Sequence, residues 1–276
     1  MGIISSNLLF ISLFILIIHS IETLAYAVRL SGARVKLLAS ALSLFNMMVI
    51  VSRMANMIQQ PFTGSLKDMA PEENRLQILE DQFRVIIGAS TIGTIVGILL
   101  LPTFTALFSR AIVHMSNEGG SPFGLLKKCF SIPYLKRAMK HVHIPRISYL
   151  KGIHVRDIPW QLFLFNMIVT AIYTIGVLSA IYASILVPER SSSAMMASGL
   201  INGVATILLA IFVDPKISFL ADKVVNGKGS YINLKGISVI MIASRLLGTI
   251  IAQALFIPGA HYIAWVSKIF FLFGNN

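Results

Sequence analysis

The sequence is poor in the features that build a soluble enzyme. It holds one cysteine, Cys129, which rules out a disulfide within the chain and leaves no cysteine cluster for a metal. Only 12% of its residues are charged, where a soluble domain carries about 25%. Acids are scarce, 11 against 23 lysines and arginines. There is no glycine-rich nucleotide loop, which argues against ATP as an energy source. His141-Val142-His143 lacks the i, i+4 spacing of a metal pair on a helix. No basic stretch precedes the apolar run 8–18, and no small-residue cleavage site follows it, so a cleaved signal peptide is not expected. These absences point to a protein without cofactor or metal that is not an enzyme.

What is abundant is apolar sequence, at 56% of the chain. Six stretches approach or exceed the ~20 residues that cross a bilayer core as a helix. They cover residues 7–28, 37–59, 85–108, 160–187, 194–213 and 237–257. Pro159 precedes the fourth and Pro188 follows it, as suits a helix start and stop. The expected fold class is an all-α polytopic membrane protein. After Pro258 the chain stays apolar and aromatic, through His261, Tyr262, Trp265 and Phe270. That remainder is too short to span again, so an interfacial or re-entrant tail is expected.

Charge orients the spans. Residues 109–159 form a basic interlude with Arg110, Lys127, Lys128, Lys136, Arg137, Lys140, Arg146, Lys151 and Arg156, opposed by Glu118 and Asp157. With the loops after the first and fifth spans, sixteen basic residues fall on one side and five on the other. Positive loops stay cytoplasmic, so both termini are expected outside. The net charge of +12 is explained by loops facing anionic phospholipids rather than by nucleic acid. Apolar residues alternate with the lysines and arginines of the interlude, a pattern suited to segments lying in the headgroup region, while a plain topology anchor accounts for the charge alone. Nothing in the sequence sets the oligomeric state.

The halves on either side of the interlude look alike. Gly93-Thr94-Ile95 returns as Gly248-Thr249-Ile250, and Asn46, Pro61, Asp68 and Pro102 align with Asn202, Pro215, Asp222 and Pro258. Three spans per half put the second copy in the membrane upside down. The expected organisation is therefore two inverted three-helix repeats, 1–108 and 160–276, joined by the cytoplasmic region 109–159. Inverted repeats are the frame of many secondary transporters, with the site near the midplane between them. Gly93-x-x-x-Gly97 and Gly199-x-x-x-Gly203 each offer a smooth helix face for close packing. The third span carries no charge and is expected to pack rather than conduct.

Charges within spans cost about 2.5–3.5 kcal/mol each at the membrane centre, so they need partners or water. At 1.5 Å per residue, Glu22 lies roughly 9 Å from the cytoplasmic end, Arg245 about 12 Å, and His19 and Asn46 about 14 Å. Asn202 falls near the middle, and Arg53 sits at about 24 Å. Matching depth makes Glu22–Arg245 the expected ion pair across the halves. His19, Glu22, Asn46, Asn202 and Arg245 are expected to face one interior layer. The alternative is a pair that only locks the halves together. Polar stripes at helical spacing support an inward face: His19, Glu22, Tyr26 and Arg29; Asn46, Arg53, Asn56 and Gln60; Arg245, Thr249 and Gln253. Arg29 taken alone reads as a cytoplasmic anchor. Arginine suits phosphate because its planar fork donates paired hydrogen bonds.

The run Leu16-Ile17-Ile18-His19-Ser20-Ile21-Glu22-Thr23-Leu24-Ala25-Tyr26, with Arg29, Gly32 and Arg34, resembles the start of the Amj family of lipid II flippases. Ser43-Leu44-Phe45-Asn46, Ser52-Arg53, Ala55-Asn56-Met57 and Gln60-Pro61 are similar to the next block of that family. The resemblance extends over the chain in length and topology. It implies flipping of a lipid-linked peptidoglycan precursor across the bacterial cytoplasmic membrane, as an alternate to MurJ. The family brings no substrate-binding residues with it. The candidate contacts for lipid II, or a related polyprenyl-pyrophosphate lipid, are therefore the polar-stripe residues Arg53, Arg245, Glu22, His19, Asn46 and Asn202. Two other readings stay open: a secondary transporter of another anionic solute or polyprenyl-phosphate lipid, and a non-transporting membrane scaffold.

Overall fold

A computed structural model of the chain describes residues 5–117, 152–153 and 160–274. Every regular element among them is helical. In chain order these are α1 (Ser6–Val35), α2 (Leu38–Met69), α3 (Arg75–Asn117), α4 (Trp160–Leu186), α5 (Ser191–Leu208), α6 (Asp214–Val225) and α7 (Tyr231–Gly274). Single 3-10 turns, Glu72–Asn74 and Pro188–Arg190, lead into α3 and α5. A π-helical turn, Leu209–Val213, joins α5 to α6. Six stretches are long and apolar enough to cross a membrane, with α5, the π turn and α6 forming one of them.

The helices overrun the spans expected from hydropathy. α3 continues to Asn117, so the start of the region 109–159 is helix rather than loop. The rest of that basic region, with the headgroup-lying segments expected there, falls outside the described residues. Beyond Pro258 the chain carries on as the same helix, α7. Proline is tolerated inside a buried membrane helix because neighbouring helices and side chains satisfy the carbonyl it frees.

Local chemistry sets the ends. Ser5 caps α1 by accepting the Leu8 N–H at 3.2 Å. Lys36 takes a left-handed conformation, φ 58°, and the Leu37 N–H returns to the Gly32 carbonyl at 3.0 Å. This closes a tight hairpin in which Gly32 leaves room for Ala41 of α2. The π turn has a covalent cause: Pro215 has no N–H to give to the turn before it. The wider turn re-aims α6 relative to α5.

Hydrophobic burial does not drive helices together inside lipid, so close approach and polar bonds matter more. Both serve here. The Cα of Gly93 in α3 lies against the Leu16 backbone of α1, and the Ser20 hydroxyl donates to the Gly93 carbonyl at 2.8 Å. In the other half, Gly248 of α7 lies against the Met167 carbonyl of α4, where an added Cβ would come within 2.6 Å. The Asn166 amide of α4 donates to the Met241 carbonyl at 2.9 Å. Two tight pairs result, α1 with α3 and α4 with α7. Phe83 of α3, Phe256 of α7 and Tyr182 of α4 stack edge to face and join them, with centroids 5.9 and 5.4 Å apart. The second span of each half stays outside: 17% of its most apolar window is buried, against 39–50% in the other four. α2 and α5 are thus the peripheral helices. Gly199 and Gly203 lie on this outer layer and face open space, so the packing expected of that glycine pair is not found.

Substituting Gly93→Ala or Gly248→Ala drives a methyl group into a facing backbone, and each should destabilise the protein by about 1–3 kcal/mol. Gly199→Ala should leave stability unchanged or raise it slightly, since alanine favours helix. Thermal unfolding in detergent, followed by tryptophan fluorescence, reads the difference.

Candidate functional site

Helix α1 lies between the halves and carries a polar stripe, His19, Glu22, Tyr26 and Arg29, toward α2, α4, α6 and α7. The Glu22 carboxylate pairs with the Arg245 guanidinium of α7 and accepts the Ser52 hydroxyl of α2 at 2.7 Å. The two charged side chains are 16% and 10% exposed. Arg245 Nη2 also lies 3.3 Å from His19 Nδ1. This is the ion pair that matching depth predicts, found with His19 beside it.

The pair borders a cavity of about 100 Å³. Three arginines line it, Arg29, Arg53 and Arg245, against two acids, Glu22 and Asp214. Each arginine reaches the opposite half of the chain. Arg29 of α1 donates to Asp214 of α6 at 2.7 Å and rests its guanidinium over the Phe45 ring, 3.9 Å from the centroid. Arg53 of α2 donates to the Thr206 hydroxyl of α5 at 3.1 Å, at the exposed rim. Arg245 of α7 completes the set on Glu22. The wall opposite is α4, with Asn166, Thr170 and Tyr173. Tyr26 donates to Asn166 at 3.3 Å, and Asn166 in turn donates to Ser244 at 2.7 Å. The Nε–H groups of Arg29 and Arg245 are buried and have no acceptor among the described residues. The cavity is therefore cationic by one charge and retains free donors.

A second, smaller cavity of about 20 Å³ lies toward the other end of α1, bordered by His19, Asn56, Gln59 and Tyr173. Tyr173 borders both cavities, and Asn56 donates to its hydroxyl at 3.1 Å. Glu22, Arg245 and His19 stand between the two hollows. Among the described residues no cluster of His, Cys, Asp and Glu is placed to hold a metal ion.

The structure brings His19, Glu22, Arg53 and Arg245 together. It leaves Asn46 out: the side chain is exposed and borders neither cavity. Asn46 and Arg53 share a stripe at the edge of α2, and only the long arginine reaches inward from it. Asn202 also borders neither cavity. Its Oδ1 is buried against Gly176 without a hydrogen-bond donor among the described residues. Arg29 is not a surface anchor, being 2% exposed and paired in the cavity. Asp214 belongs to a span rather than a loop. The stripe on α7 divides: Arg245 borders the cavity, while Gln253 bonds to the Arg84 carbonyl at 2.9 Å. Sequence reasoning missed the α4 wall, although Asn166, Thr170 and Tyr173 follow i, i+4, i+7 and carry the same signal as the other stripes. α3 adds nothing to the lining of the larger cavity and only Ile86 to the smaller.

Comparisons with known proteins agree with one another. The family model Amj, described as alternate to MurJ, matches residues 14–267. Lipid II flippase Amj of Bacillus subtilis (strain 168) is 62% identical over 270 residues, which are 98% of this chain and 100% of that protein. No solved structure matches.

Removing one partner of a buried ion pair strands the other, at about 3–5 kcal/mol. Glu22→Ala and Arg245→Ala should each lose stability on that scale, and the double variant should lose less than the two together. A double-mutant cycle on chemical unfolding in micelles measures it. Additive losses would mean that the two side chains do not interact.

Proposed function

The chain belongs to the Amj family, the alternates to MurJ, and we propose from this premise that it is a lipid II flippase of the bacterial cytoplasmic membrane. Flipping makes and breaks no covalent bond, so the protein is a transporter and not an enzyme. Its substrate carries a pyrophosphate and a sugar-peptide headgroup on a polyprenyl tail. The headgroup needs a polar passage, while the tail stays in lipid.

The reading rests on one observation: all three cavity arginines spend their bonds on contacts between the halves. A pyrophosphate entering the cavity competes for those same guanidinium groups. Each arginine it takes releases Glu22, Asp214 or Thr206, and with them the contacts that hold this conformation. A ligand shifts a conformational equilibrium by the difference in its affinity for the two states, and here binding removes what stabilises the first state. Alternating access follows from that competition. The cavity volume of about 100 Å³ is far too small for the headgroup, so α2 and α5 must part to admit it. They are the least buried spans, and the Arg53–Thr206 bond joins them at the rim. The polyprenyl tail would lie in the seam between them.

The similar pairing of α1 with α3 and of α4 with α7 supports an inverted repeat, because a glycine of the third span, Gly93 or Gly248, meets the first span in both halves. The charge rule then puts both termini outside and the Arg29–Asp214 end of the cavity at the cytoplasmic face. The basic region would hold anionic phospholipids of the inner leaflet.

In a cell lacking its other lipid II flippase, Arg245→Ala, Arg53→Ala and Arg29→Ala should each cut flipping by about tenfold or more, the worth of one hydrogen bond to a charged group. Arg245→Lys should restore little, because lysine lacks the fork. Access of external reagents to lipid II scores the outcome, with membrane insertion checked by immunoblot. Full activity in all three alanine variants contradicts the arginine site.

A further inference from the structure

Glu22 is the countercharge of Arg245. The proposed flippase reading, on which this inference rests, gives Arg245 a second anion to bind. Both cannot hold the guanidinium fork at once. When pyrophosphate takes it, Glu22 keeps the Ser52 hydroxyl and loses its cation. A carboxylate left inside the membrane without its partner carries a desolvation cost of several kcal/mol, which a proton removes. We infer that Glu22 takes up a proton as the lipid pyrophosphate displaces it from Arg245, so that loading of the substrate is coupled to protons.

The surroundings single out Glu22. The charged and titratable groups around it are His19, Tyr26 and Arg29 on its own helix, Arg53 on α2, Tyr173 on α4, Asp214 on α6 and Arg245 on α7. α3 and α5 add none to the lining of either cavity. The other carboxylate, Asp214, is 42% exposed on its side chain against 16% for Glu22. Water therefore solvates Asp214 when Arg29 leaves it, and no proton is required there. Among the described residues around Glu22, His19 is the other group that could accept one, and the Arg245 guanidinium 3.3 Å from its ring opposes a second cation there. Glu22 is also reachable. It borders the larger cavity, and His19, one turn away, borders the smaller cavity toward the opposite end.

The step balances simply. One proton leaves solvent and joins one Glu22 oxygen; the carboxylate becomes a neutral acid; the pyrophosphate replaces it as the anion on Arg245. Proton uptake on binding makes affinity fall as pH rises, by up to about tenfold per pH unit. Release of the lipid on the far side returns the proton there, so one proton moves outward with each lipid flipped.

The test is calorimetric titration of lipid II into the purified full-length protein, in micelles, in pairs of buffers with different ionisation enthalpies. The wild type should take up about one proton per lipid II bound. Glu22→Gln should bind lipid II with proton uptake near zero and with affinity independent of pH, while Asp214→Asn should keep the uptake. Binding by the wild type without proton uptake overturns the coupling and leaves the flippase reading standing. Uptake that survives in Glu22→Gln but vanishes in His19→Gln overturns the assignment to Glu22. No binding of lipid II by the folded wild type defeats both.

Discussion

An ionised side chain has no place in hydrocarbon unless another charge or water meets it. That constraint organises the centre of this molecule. Glu22 and Arg245 sit on the first and last spans, and each is tolerable because the other is there. The pair fixes which face of α1 turns inward, and with it the positions of His19, Tyr26 and Arg29. It also ties the two halves at the middle of the bundle. Burying two charges is a poor way to gain stability, because an apolar pair of the same shape often does as well. Their presence is better understood as a contact that can be exchanged.

The surrounding architecture suits exchange. Gly93 and Gly248 weld the first and third spans of each half into rigid pairs. The second spans, α2 and α5, lie outside with few buried residues and carry the rim of the cavity. Pro215 opens a π turn beside that rim, and Asp214 continues from it into contact with Arg29. Rigid pairs, loose outer helices and charges that bridge the halves are the parts that the proposed alternating access would use. On the proposed reading, a substrate pyrophosphate would supply the competing anion.

Much of this is legible in the sequence. Six spans follow from apolar length, and the Glu22–Arg245 pair follows from helical rise, because depth is a property of sequence position once the span ends are known. The failures have physical causes too. Arg29 reads as an anchor because it sits at an apolar span's end, where arginines usually serve orientation; α1 in fact runs on to Val35 and carries Arg29 inside. Asp214 reads as a loop residue because the apolar run of the fifth span ends at Val213, whereas the π turn carries the helix on past Pro215. Asn46 shares a stripe with Arg53, but spacing along a helix says nothing about reach. The stripe on α4 is spaced like the others and escapes notice because none of its residues is charged. Asn202 shares the helix face of Thr206 but lies one turn beyond it, against Gly176, so it misses the cavity by depth and not by side.

A structure of the full chain with lipid II bound tests the central claim most directly. The account predicts pyrophosphate density between Arg245, Arg53 and Arg29, the Glu22 carboxylate turned away from Arg245, and the polyprenyl tail leaving between α2 and α5. A headgroup bound elsewhere, with the Glu22–Arg245 pair intact and the cavity empty, would contradict it.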